Sequence, residues 1–112
     1  MTKPWPLHAR HILDCIAKIR RIQARGDLLE DDILYDATIR NLQTLSESTQ
    51  HLPDDLKAGF PDIPWKQISG FRNILVHAYL GEIDPLTVQG VIGQPLVALE
   101  SAVQSMLAEA SE

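Results

Sequence analysis

The spacing of the apolar residues is the feature that most restricts how this chain can fold. In several stretches these residues recur at intervals of three and four, the period of an α-helix. No stretch alternates with the period of two that a half-buried strand requires. Leu7 to Gln23 is predicted as the first helix, and a second is predicted to run from near Leu34 to about His51. We therefore expect an all-α protein, a four- to five-helix up-and-down bundle.

Prolines, glycines and acidic residues predict where the helices begin and end. The run Glu30 to Asp32 suits the positive end of the second helix dipole. Leu52 to Pro64 holds three prolines and one glycine, which predicts an irregular connection with about one turn of helix. Pro64 can open the third helix and Gly81 can close it.

The last third of the chain repeats these signals. Asp84 and Pro85 provide a helix cap followed by proline in the first turn. Gly90, Gly93 and Pro95 should kink or split the helix that begins there. The helical period then continues to near the C-terminus.

Composition limits the class of protein. A chain of 112 residues is long enough for one core, so we expect a single domain over residues 1–112. No run approaches the roughly 18 apolar residues of a membrane span, and the N-terminus lacks a signal-peptide pattern, so we expect a cytoplasmic protein with no membrane contact. The single cysteine, Cys15, lies in a helical pattern and is interpreted as a buried structural thiol.

The net charge of −5 argues against a protein that binds nucleic acid non-specifically, since phosphate contacts normally need a surplus of Lys and Arg. Any nucleic-acid chemistry must therefore depend on a local site. Alternatively, the acidity favours docking to a more basic protein.

The stretch FRNILVHAYLG, residues 71–81, places four polar groups in a helix that otherwise reads as core. On a helical wheel Arg72 and Tyr79 lie along one flank of the apolar stripe, and Asn73 and His77 lie one turn apart on the other. Val76 and Leu80 face outward between these pairs. Because such a strip needs a cover, we expect a homodimer whose seam is a cleft lined by the polar residues of both copies.

These side chains provide what metal-free RNA cleavage requires. Arginine matches phosphate with a planar fork of donors, and histidine can accept and return a proton near neutral pH. Asn73 can orient the imidazole or the substrate. Spacing alone more often reflects a surface arginine and a hydrogen-bonded histidine, so the four residues by themselves do not decide the function.

The block IPWKQISGFRNILVHAYLGEID, residues 63–84, resembles the signature of the HepT-like HEPN family. The family pattern Arg-x4-His-x-Tyr, with a polar residue after the arginine, matches Arg72, Asn73, His77 and Tyr79. The segment DATIRNLQTLSES, residues 36–48, resembles the family's second helix, with Gln43 and Ser46 departing from its usual Glu and Gly.

The resemblance implies the toxin of a toxin-antitoxin pair. Such a protein is a dimeric, metal-independent endoribonuclease with no cofactor, in which Arg72, Asn73 and His77 are catalytic and RNA is the substrate. Its partner would be an MNT-type nucleotidyltransferase antitoxin that transfers AMP to Tyr79. Glu47 is a candidate supporting residue that steadies Arg72 or His77, although an exposed, solvated glutamate is the ordinary alternative.

Two other functional interpretations stay open from the sequence. The chain is alternatively a non-catalytic helical module that binds a nucleotidyltransferase subunit, or a helical dimer with no substrate. His8, His11 and His51 show no spacing typical of a metal site and are interpreted as surface histidines. Trp5 and Trp65 are interpreted as packing anchors.

Overall fold

A computed structural model describes residues 4–70 and 85–110, and every regular element in these two stretches is an α-helix. The predicted all-α class is thereby confirmed, while the homodimer and the single domain stay predictions. The helices are α1 (Trp5–Arg25), α2 (Asp32–Thr49), α3 (Asp54–Ala58), α4 (described over residues 65–70), α5 (Pro85–Val91) and α6 (Gln94–Ala110).

Helix α1 forms where the period predicted it and extends two residues further at each end. Pro4 and Pro6 stand at its start, where a missing backbone N–H breaks no helical hydrogen bond. Its buried side chains recur at intervals of three and four, so that one face of the helix enters the core. These residues are Ala9, Ile12, Cys15, Ile16 and Ile19.

Helix α2 begins within the predicted acidic run. The Asp31 carboxylate accepts hydrogen bonds from the backbone N–H groups of Ile33, at 2.9 Å, and Leu34, at 3.4 Å. These bonds satisfy two of the donors that a helix leaves unpaired at its first turn. The helix ends at Thr49, two residues before the predicted end.

The connection after α2 is irregular apart from one short helix, as predicted. Helix α3 covers only five residues, Asp54–Ala58. Pro64 then immediately precedes α4, which begins at residue 65. Proline therefore opens this helix as the sequence indicated.

The core lies between α1, α2 and α6, because α1 packs against both of the other helices. Ile12, Ile16 and Val103 are each fully buried there. At the surface, Arg20 of α1 donates two hydrogen bonds to the Glu100 carboxylate of α6, at 2.5 and 2.8 Å. That hydrogen-bonded pairing raises the pKa of the Arg20 guanidinium above its ordinary value.

The C-terminal region is divided into α5 and α6 near Gly93, which confirms the predicted break. By length and hydropathy alone, the stretch Val88–Ala110 is apolar enough to cross a bilayer. However, α6 buries Leu96, Leu99 and Met106 among others, and it packs against α1. The apolar character of this stretch is thus partly explained by its role in the core.

Candidate functional site

The four residues of the predicted catalytic motif lie outside the described residues. These are Arg72, Asn73, His77 and Tyr79, and the predicted apolar strip of Val76 and Leu80 lies there with them, as does Gly81. Their assigned roles therefore stay predictions. The structure does describe how residues 65–70 of α4, which precede the motif in the chain, are held against the rest of the protein.

Trp65 anchors the beginning of α4. Its indole N–H donates to the backbone carbonyls of Lys57, at 3.0 Å, and Phe60, at 3.1 Å. The ring also packs against the core, as does Ile68 one turn later. The predicted packing role of Trp65 is confirmed, and the described part of α4 is held by both polar and apolar contacts.

A second feature near α4 is an apolar cavity of about 160 Å³. Its lining includes Ile68, Leu45 and Leu96, which come from α4, α2 and α6. Ser46 stands at the position where the family that the sequence resembles usually has glycine. It is buried and lines the same cavity. The departure from the family pattern at this position therefore lies at the packing surface between α2 and α4.

Glu47, the candidate supporting residue, lies in a cleft of about 410 Å³ between the start of α1 and the end of α2. The cleft also contains all three histidines outside the motif. We call it the histidine cleft and define it by seven lining residues: Leu7, His8, His11, Thr44, Glu47, Ser48 and His51. Glu47 thus lies among polar side chains of the cleft. Its contact with Arg72 or His77 stays a prediction.

Two of the imidazoles in this cleft form a stacked pair. The ring centroids of His8 and His51 are 4.2 Å apart and their planes differ by 13°. The third histidine, His11, places Nε2 3.8 Å from the Sγ atom of Cys15. Two of the three surface histidines, one in α1 and one just after the end of α2, are therefore held in ring contact.

Cys15, whose Sγ atom lies next to His11, is a buried thiol, which agrees with the structural role predicted for it. Burial raises its pKa above the ordinary value, and Asp14 acts in the same direction while Lys18 opposes it. Because the reactive form of cysteine is the thiolate, this environment disfavours nucleophilic chemistry.

Positive charge is grouped at the other end of the α1–α2 pair. Lys18, Arg21 and Arg25 line a cleft of about 370 Å³ together with the most exposed large apolar side chain in the described chain, Ile33. The loop that follows α1 carries several carboxylates, including Asp27. This end is consequently mixed in charge and is not a uniform basic surface.

Sequence reasoning did not predict the meeting of the three histidines. Each helix carries its own signal, since His8 and His11 are three residues apart and Glu47 and His51 are four apart, both spacings of one helical face. Only the packing of α1 on α2 brings the two faces together. Within residues 4–70 and 85–110, no three His, Cys, Asp or Glu residues are arranged to hold a metal ion.

The fold and the cleft define a small all-α protein in which two long helices build a polar site and a tryptophan-anchored helix leads into the motif. The chain belongs to the HepT-like family: the sequence model described as "Ribonuclease HepT-like" matches residues 12–106. That match spans the motif and all of the described helices except the first turns of α1 and the end of α6.

Relatives from bacteria and archaea support this assignment. The protein named "Putative RNase TTE0752" of Caldanaerobacter subterraneus is 30% identical over 110 residues, which is 96% of each chain. "Probable ribonuclease HepT" of Thermococcus cleftensis is 38% identical over 69 residues, covering 62% of this chain and 63% of the relative. No solved structure gave a significant match.

Proposed function

We propose that this chain is the toxin of a toxin-antitoxin pair and acts as a metal-independent endoribonuclease. The observation that carries the proposal is the family match over residues 12–106, which includes every residue of the Arg-x4-His-x-Tyr pattern. The ribonuclease names of the relatives support the choice of RNA as substrate.

In the proposed reaction, a ribose 2′-hydroxyl attacks the adjacent phosphorus and the bond to the 5′-oxygen breaks. His77 accepts the proton from the attacking hydroxyl, and the imidazolium formed in this way returns a proton to the leaving 5′-oxygen. Arg72 binds the phosphate and stabilises its developing charge, while Asn73 orients the imidazole or the substrate. The products are a 2′,3′-cyclic phosphate end and a 5′-hydroxyl end.

The active form is proposed to be a cytoplasmic homodimer whose two motifs face one cleft. Its proposed regulator is an MNT-type nucleotidyltransferase antitoxin. The Tyr79 oxygen attacks the α-phosphorus of ATP, pyrophosphate leaves, and the resulting AMP adds bulk and negative charge where substrate phosphate would bind.

The deciding experiment is RNA cleavage by the purified protein in the presence of a metal chelator. We expect the wild-type chain to cleave single-stranded RNA and His77→Ala to lose cleavage while it keeps the dimer, as measured by light scattering. Gln104→Ala is the matched control, because Gln104 is an exposed residue on α6. Intact RNA after incubation with the folded wild-type dimer contradicts catalysis.

Silencing is tested separately with the partner and ATP. Wild-type protein should gain one or more AMP units in intact-mass measurement, and Tyr79→Phe should gain none and should escape silencing. Unchanged mass in the wild type contradicts this regulation but leaves the ribonuclease assay unaffected.

The second candidate is a non-catalytic module that binds a nucleotidyltransferase subunit. The net charge of −5 favours it, because acidity opposes RNA binding and suits a basic protein surface. Stable binding of the partner by a chain that leaves RNA intact would select this alternative.

A further inference from the structure

The histidine cleft gathers three of the four histidines in the chain, and the proposed catalytic chemistry uses none of them. The fourth is His77 of the motif. His8 and His11 project from one face of α1, and His51 follows the end of α2. Apart from Glu47, the residues that line the cleft have no role in the proposed catalytic chemistry.

The stacked pair offers a flat aromatic surface. His51 is exposed and His8 is partly buried beneath it, with 4.2 Å between the ring centroids. Proteins that bind single-stranded RNA commonly stack unpaired bases on aromatic side chains, histidine included. A base placed on the outer side of this pair would extend a stack that already exists.

The polar groups around the pair match the rest of a nucleotide. The Thr44 hydroxyl donates to the Arg40 carbonyl at 2.9 Å, so its oxygen can still accept a hydrogen bond. A ring N–H of the exposed His51 imidazole can donate to a phosphate oxygen. Leu7, which is 47% exposed, adds an apolar edge.

The size of the cleft also agrees with a small polar ligand. Its volume of about 410 Å³ lies within the range of roughly 300–1,000 Å³ that is usual for such sites. An apolar helix of a protein partner would bury the Thr44 hydroxyl and the His51 imidazole without offering them new hydrogen bonds, which is costly.

We propose that the histidine cleft binds one nucleotide of the single-stranded RNA substrate, with its base stacked on the His8–His51 pair. This inference rests on the ribonuclease activity proposed above and adds a binding subsite to it. The subsite supplies affinity that an acidic protein does not gain from general attraction to phosphate.

The test compares two substitutions at His51, the exposed ring of the pair. Binding of a fluorescein-labelled single-stranded oligoribonucleotide is measured by anisotropy in a His77→Ala background, which prevents cleavage. KM and kcat are measured with the motif intact. His51→Ala removes the flat ring and should raise Kd and KM about 5- to 10-fold, the lower part of the range for loss of one base stack. His51→Phe restores an aromatic face and should keep near-wild-type values.

Several outcomes overturn this inference. Unchanged Kd in His51→Ala means that the ring does not contact RNA, and equal losses in both variants mean that stacking is not the interaction. If wild-type protein cleaves RNA in either case, the proposed function survives and only the subsite is refuted. If wild-type protein neither binds nor cleaves RNA, both proposals fail. Unchanged melting temperatures, with Gln104→Ala as control, exclude misfolding as the cause of a loss.

Discussion

Trp65→Phe tests how firmly the start of α4 is held, since the indole N–H is the side-chain donor that links this helix to α3 and the loop after it. Phenylalanine keeps a large apolar ring but removes the donor to the carbonyls of Lys57 and Phe60. The substitution therefore separates the hydrogen bond from most of the packing.

The geometry around Trp65 limits the stability that Trp65→Phe is expected to lose. Each of the two carbonyls keeps a second partner, because the Lys57 oxygen also accepts from the Phe60 N–H at 3.0 Å and the Phe60 oxygen accepts from the Ile63 N–H at 3.1 Å. Neither oxygen is left unsatisfied, so the full desolvation penalty does not apply. The shared hydrogen bond then contributes about 1 kcal/mol. At an unfolding entropy of about 2.1 cal/mol/K per residue, that amount lowers Tm by about 4 °C for a chain of this length.

Trp5→Phe is the matched control. Trp5 is also partly buried against the core, but its indole N–H makes no hydrogen bond with the part of the chain that the structure describes. Urea unfolding followed by far-UV circular dichroism should show Trp65→Phe to be destabilised by about 1 kcal/mol more than Trp5→Phe. Equal losses would refute the argument, because the ring change is the same and only the hydrogen bond differs.

The remaining predictions concern the cap of α2, the reactivity and ionisation of the buried thiol, and the salt dependence of RNA binding. Asp31→Ala should lower the free energy of unfolding by about 1 kcal/mol and Asp31→Asn by less, as measured by urea unfolding, because the amide oxygen can still cap the helix. Cys15 should react slowly with a thiol reagent in the native protein and rapidly in denaturant. Since its folded pKa is raised above 9.0, the unfolded chain ionises first, and stability should fall as pH rises beyond about 9 by more in wild type than in Cys15→Ala. RNA affinity should fall only shallowly with salt, with a log–log slope of about −1 to −2 at roughly −0.7 per phosphate contact, and a slope steeper than about −4 would contradict a site based on stacking.

The sequence predicted those parts of the fold that depend on local signals. Asp31 was within the run predicted to start α2, and the structure shows its carboxylate on two backbone N–H groups. Pro64 opens α4 and Gly93 lies between α5 and α6, because these residues act on their own backbone. Helix limits differed by about two residues, as expected where the final turns depend on contacts from elsewhere in the chain.

The candidate site was less predictable, because it depends on how helices meet. The spacing of His8 and His11 identifies one face of α1, and Glu47 lies on α2 with His51 two residues beyond the end of that helix. No local sequence signal predicts that these polar residues come together, since the register between α1 and α2 is set by their shared apolar core. The motif residues Arg72 and His77 were found instead by their pattern, and their geometry stays a prediction.

The distribution of exposed apolar side chains bears on the choice between ribonuclease and docking module. The five large ones in the described chain are spread over α1, the α1–α2 loop, α2, α5 and α6: Leu7, Leu29, Ile33, Leu86 and Val97. Apolar residues spread over the surface in this way are ordinary, whereas stable protein interfaces have an apolar centre. A docking module would therefore need residues 71–84 or a largely polar surface to bind its partner. The histidine cleft, by contrast, already presents stacked rings, hydroxyls and a carboxylate within one site. Of the two candidate functions, this surface favours the one whose ligand is a nucleotide chain.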